Sequence, residues 1–188
     1  VNVIAPDGAY ILLNNIVSTN SEQEDQLSFG ETAYVYATIQ NVGQDTSSAL
    51  NVILNHENGM VNIVNSEIFN VGIPPESEIV IGPYEVEVNW NLENGTLIDL
   101  ILSIQDESQT WEYETEILVS APVFQTQMIN IVDNGNGVFD PGETVILELY
   151  LENIGGAPLQ NPTFNISTSD PFLTVGDLVF ENTLIWDN

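Results

Sequence analysis

Residues 31–54 read ETAYVYATIQNVGQDTSSALNVIL, and residues 141–166 read PGETVILELYLENIGGAPLQNPTFNI. Setting Glu31 on Glu143, an offset of 112, also sets Thr32 on Thr144, Asn41 on Asn153 and Gly43 on Gly155. Upstream, Ala5-Pro6 corresponds to Ala121-Pro122 once about four extra residues before Glu31 are allowed; downstream, MVNIVNSEIF (Met60 to Phe69) echoes FLTVGDLVF (Phe172 to Phe180). Self-similarity in matching order over about 65 residues is an internal repeat of one structural unit.

Within the first copy the apolar residues recur with period two, the spacing of a half-buried strand. Ala33, Val35, Ala37 and Ile39 take one face, and Tyr34, Tyr36, Thr38 and Gln40 the other. Val86, Val88 and Trp90 alternate with glutamates, as do Trp111, Tyr113, Thr115, Ile117 and Val119; Ile98, Leu100 and Leu102 oppose Asp99 and Ser103. Glu93-Asn94-Gly95 and Asp106-Glu107-Ser108 supply connecting turns. About seven short strands in some 115 residues, each with one apolar face, predict a β-sandwich. The expected fold is all-β: tandem immunoglobulin-like sandwiches, one over 1–120 and the N-terminal part of a second over 121–188. The second lacks counterparts of three strands, Val80–Trp90, Thr96–Gln105 and Trp111–Ser120. Either the natural chain continues, or strands of a neighbouring subunit complete the sandwich by β-augmentation. A start at Val1, without Met, reads as a mature or excised segment.

Composition narrows function sharply. The chain has no Lys and no Arg against 28 Asp plus Glu, a net charge of −28, where ordinary usage predicts roughly twenty basic residues. Phosphate backbones are recognised through Lys and Arg, so nucleic acid is excluded, and anionic membrane surfaces are disfavoured. No apolar run is long enough to span a bilayer as a helix, so direct membrane insertion is not expected. Without Cys there is neither disulfide nor thiolate chemistry. Gln at positions 23, 26, 105, 109, 125 and 127 occupies places where Lys would be ordinary, a pattern that suits escape from Lys- and Arg-directed proteolysis; adaptation to high salt is the competing cause.

The run DNGNGVFDPGETVILELYLENIGG from Asp133, followed by NPTFNISTSDPFLTVGDLVF, is similar to the immunoglobulin-like repeats of large secreted bacterial proteins. Such repeats accompany gingipain-type cysteine peptidase domains and other cargo of the type IX secretion system. The resemblance implies extracellular or cell-surface placement. It does not import the peptidase, whose Cys–His pair needs a Cys, and the family's usual Lys is missing here.

One constellation carries chemistry. Asp133, Asn136, Asp140 and Glu143 lie in an eleven-residue loop with glycines at 135, 137 and 142, an oxygen-rich donor set suited to calcium. The matching first loop carries Glu22, Glu24, Asp25 and Glu31 without those glycines. His56 is the single histidine and builds no catalytic triad. Glu112, Glu114 and Glu116 fall on a solvated face rather than forming a glycosidase pair. Tyr34, Tyr36 and Tyr150 point outward, towards a glycan or a neighbouring subunit; Asn94-Gly-Thr and Asn165-Ile-Ser match the glycosylation sequon. The expectation is a non-catalytic structural or adhesive module, a stalk or repeat unit that self-associates or adjoins further domains of a long chain. An accessory domain of a secreted gingipain-type peptidase and a carbohydrate-binding module are the alternatives.

Overall fold

In a computed structural model describing residues 5–19, 26–70, 72–133, 135–158, 162–177 and 179, the chain is all-β and divides into two compact units, Val1–Ser120 and Ala121–Asn188. Among its described residues the first unit holds nine strands: β1 (Ile11–Thr19), β2 (Leu27–Ser28), β3 (Thr32–Asn41), β4 (Leu50–His56), β5 (Val61–Ile63), β6 (Glu67–Asn70), β7 (Glu78–Val88), β8 (Thr96–Gln105) and β9 (Thr110–Ser120). They form a four-stranded sheet ordered β1-β3-β7-β5 and a five-stranded sheet ordered β2-β9-β8-β4-β6. Neighbours are antiparallel except β2 and β9, which run parallel, with Leu27 beside Val119 and Ser28 beside Ser120.

The two sheets share one core because the period-two faces meet. Ala33, Val35, Ala37 and Ile39 of β3 are fully buried, and so are Leu100, Leu102 and Ile104 of β8; Val52 and Leu54 of β4 and Tyr84 and Val86 of β7 join them. This sandwich-like burial supplies the main stabilisation, since each fully buried aliphatic side chain contributes about 1.5–3 kcal/mol. Two tyrosines tie one sheet to the other. Tyr84 of β7 is wholly buried, and its hydroxyl donates to the Val52 carbonyl of β4 at 3.1 Å; burial pushes its pKa upward. Tyr113 of β9 donates to the Ile11 carbonyl of β1. Each removes the cost of an unpaired buried polar group while leaving the ring in the core.

Three local expectations need correction. Among its described residues the first unit shows nine strands rather than about seven: the apolar run Met60–Phe69 holds two in different sheets, β5 pairing with β7 and β6 with β4, and Leu27–Ser28 adds the short β2 beside β9. Trp90 does not continue β7, which ends at Val88. It is 73% exposed and lies over Gly30, with an edge-to-face contact to Phe29 at 5.6 Å. A β-carbon on Gly30 would stand 2.3 Å from that ring, so the indole would have to move, and the positive φ of +66° there favours glycine as well. The third correction concerns the upstream end of the repeat and follows from the second unit's geometry.

The second unit holds β10 (Phe124–Val132) and β11 (Ile146–Asn153) as one antiparallel pair. This hairpin repeats β1–β3 in detail. Ile11 faces Asn41 and Phe124 faces Asn153; the register then slips at Asn14 in one and at Gln127 in the other. The bulged side chains have matching partners, Asn14 donating to Gln40 and Gln127 to Glu152. Residues 162–168, in the place of β4, form no ladder. In the first unit β4 pairs with β6 and β8, and no such strands are among the described residues of the second.

Candidate functional site

Each hairpin is closed by a buried asparagine. Asn41 Oδ1 accepts from the Tyr10 N–H (3.1 Å) and the Gly43 N–H (2.9 Å); its Nδ2 donates to the carbonyls of Asp45 and Ile73, both at 2.8 Å. Asn153 Oδ1 accepts from Val123 (2.9 Å) and Gly155 (3.1 Å), and Nδ2 donates to Ala157 at 2.8 Å. The position matching Ile73, Ile185, lies outside the described residues. A carboxamide offers two acceptor lone pairs and two donors, so Asn41 is saturated, and aspartate or leucine could not replace it. The glycine two residues on permits the close approach. A β-carbon on Gly43 would stand 2.2 Å from the Gly8 carbonyl, and one on Gly155 2.1 Å from the Ala121 carbonyl. Gly8 therefore matches Ala121 and Tyr10 matches Val123, not Ala5-Pro6 with Ala121-Pro122. The loop before Glu31 absorbs one extra residue rather than four. The matching Asn-x-Gly stretches at 41–43 and 153–155 are visible in the sequence, but their role is not, because the strand each clamps lies about 30 residues upstream.

The loop expected to hold calcium is built on a turn that both units share. In Asp140-Pro141-Gly142-Glu143 the Glu143 N–H bonds the Asp140 carbonyl at 3.2 Å, with Gly142 at φ +87°. In Ser28-Phe29-Gly30-Glu31 the corresponding bond is 3.3 Å and Gly30 sits at φ +66°. Glycine at the third turn position with positive φ, and Pro141 at the second, suit a type II turn. Ahead of the second turn, Asp133 accepts from Gly135 (3.1 Å) and Gly137 (3.0 Å to Oδ2). The Gly135 N–H acts most strongly; desolvation opposes it, the Gly137 and Val138 N–H groups add to it, and the carboxyl is held below the ordinary aspartate value. Asn136 donates to Asp140 Oδ2 at 3.1 Å, and the Asp140 N–H donates to Glu143 Oε2 at 3.1 Å.

The structure thus links Asn136, Asp140 and Glu143 in one chain of hydrogen bonds and turns Asp133 onto backbone N–H groups. The donor set suits a hard cation. Among the described residues no group of three or more His, Cys, Asp or Glu is placed to hold a metal. Of the matching first-unit carboxylates, Glu22, Glu24 and Asp25 lie outside the described residues, and Glu31 is exposed beside its turn.

The remaining candidates are dispersed. His56 ends β4, with Nδ1 buried and without a partner among the described residues. Glu112, Glu114 and Glu116 are exposed along β9, where Ser103 donates to Glu112 at 3.2 Å. Tyr34 (42%) and Tyr150 (48%) are exposed, and Tyr36 is half-buried against Gly82. Asn94 and Asn165 are exposed. Open grooves among the described residues of the first unit include one of about 520 Å³ containing Gln40, Gln44 and Glu76, and one of about 220 Å³ containing Asn15, Ser18 and Glu116. No protein-family model matches the chain, and no curated protein matches it either.

Proposed function

We propose that the chain is a non-catalytic structural or adhesive module of an extracellular or cell-surface assembly, built from immunoglobulin-like units. One observation carries this reading: β10–β11 exposes the face that its twin β1–β3 buries. Leu147 and Leu149 stand 47% and 38% exposed where Val35 and Ala37 are fully covered, and Ile129, opposite Leu149 on the same face, is 60% exposed. A contiguous apolar sheet face on an otherwise strongly acidic chain calls for cover, by strands further along a longer chain or by a neighbouring subunit. The immunoglobulin-like part is supported by strand order, since β1-β3-β7-β5 corresponds to A-B-E-D and β9-β8-β4 to G-F-C of that sandwich. The resemblance of residues 133–180 to repeats of secreted bacterial proteins supports the location, and suits an accessory domain of a peptidase equally.

Sedimentation of the whole chain at physiological salt tests the reading. Concentration-dependent assembly is expected, and Leu147→Glu with Leu149→Glu abolishes it while β1–β9 stay folded. A chain that remains monomeric throughout would overturn the assembly reading. Calcium belongs to the same proposal as the ion of loop 133–143, where Asp133, Asn136, Asp140 and Glu143 would have to exchange present hydrogen bonds for it. Isothermal titration should show binding that Asp140→Ala removes; heat-silent titration removes calcium from the reading and leaves the assembly untouched.

A further inference from the structure

Asn-Gly occurs four times, at 58–59, 94–95, 134–135 and 136–137. In this dipeptide the glycine nitrogen, on losing its proton, attacks the asparagine side-chain carbonyl carbon. The new C–N bond closes a succinimide as the C–N bond to the amide nitrogen breaks and ammonia leaves. Water then opens the ring at either carbonyl, giving aspartate or isoaspartate. The sum is asparagine plus water going to a carboxylate plus ammonium, with no other reactant. Glycine favours the step because no β-carbon obstructs it. What differs among the four sites is whether the attacking nitrogen is free.

Three of the four are tied. The Gly95 N–H donates to the Val119 carbonyl at 2.9 Å. The Gly135 and Gly137 N–H groups donate to the Asp133 carboxylate, whose negative charge also opposes loss of their protons. Only the Gly59 N–H has no partner among the described residues. Asn58 and Gly59 are both exposed, Gly59 sits at φ +62°, and the space where its β-carbon would stand is open. The turn leaves β4 for β5 and is held from other sides, by Asn89 Nδ2 to the Gly59 carbonyl (2.7 Å) and by the long contact of Asn58 Nδ2 with Asp99 Oδ2 (3.5 Å).

We propose that Asn58 is a self-modification site, converting to aspartate or isoaspartate in the folded protein while the other Asn-Gly pairs are shielded by their hydrogen bonds. The product replaces a donor facing Asp99 with a carboxylate. The isoaspartate form also inserts an extra backbone carbon between β4 and β5. Because the chain has no Lys or Arg, the test uses a glutamate-specific or chymotryptic digest, after ageing the native protein in mildly alkaline buffer. The Asn58 peptide should gain the amide-to-acid mass at least about fivefold faster than those of Asn94 and Asn136, the factor an ordinary hydrogen bond contributes to local opening. In urea the four sites should converge on similar rates, and Asn58→Gln should remove the fast phase. Equal native rates at Asn58 and Asn94, or a native Asn58 that stays unmodified while the unfolded chain reacts, would overturn the proposal.

Discussion

The strands β3 and β11 are two copies of one design in different company. Both carry apolar residues at alternate positions, both end in a buried asparagine, and both pair with a preceding strand across the same bulge. Yet Val35 is fully buried and Leu147 nearly half exposed. The alternation sets which face a strand offers; burial is supplied by the other sheet. In the first unit β4, β8 and β9 provide it, and among the described residues of the second unit nothing equivalent does. A hairpin of this kind is marginal alone, so the second unit's local order rests heavily on its asparagine clamp and turns.

Charge placed in the two copies should separate them most. Val35→Asp puts a carboxylate into a closed core and should cost about 4 kcal/mol or more, enough to unfold a domain of ordinary stability. Leu147→Asp meets water and should cost the monomer under about 1 kcal/mol. Urea unfolding followed by far-ultraviolet circular dichroism measures both; equal penalties would mean that the second strand is covered after all. The asparagines sharpen the contrast at smaller scale. Asn41→Ala strands the Tyr10 and Gly43 N–H groups and two carbonyls inside a packed unit, an expected loss of about 3 kcal/mol. Asn153→Ala should cost nearer 1 kcal/mol, and mainly raise hydrogen exchange at Val123 and Gly155.

The smallest effect is on acid stability. Asp106, nearly buried between β8 and β9, is pushed up by desolvation, but the Ser108 and Gln109 N–H groups and the Ser108 hydroxyl outweigh this and hold it below the ordinary value. A carboxyl depressed on folding stabilises above its unfolded pKa and loses that contribution as pH falls through its lower folded value. The first unit should therefore weaken below about pH 4, with a shallower slope in Asp106→Asn, which keeps an acceptor for the turn but does not titrate. Asp133→Asn should leave that slope unchanged, since its carboxyl is depressed but stands in water at the second unit's loop.

The all-β class, the inward faces of β3, β8 and β9, and the turns at 93–95 and 106–108 are legible in the sequence, because period two and turn residues are local properties. The division of Met60–Phe69 between two sheets is not, because it depends on the partners of Val61 and Ile68, which lie far along the chain. Trp90 misleads for a similar reason, its alternation continuing past the point where β7 stops pairing. The carboxylates of loop 133–143 are legible as a donor set, while their preference for backbone N–H groups depends on turn geometry that composition does not encode.

The parallel pairing of β2 with β9 has a mechanical consequence. Leu27–Ser28 and Val119–Ser120 run side by side in the same direction, extended by the Phe29 N–H to the Ser120 carbonyl at 3.0 Å. Tension applied before Leu27 and after Ser120 pulls these two segments in opposite senses along their length. The bonds between them then lie across the pull and share the load, instead of opening one after another from an end. Such a joint yields by sliding, in shear.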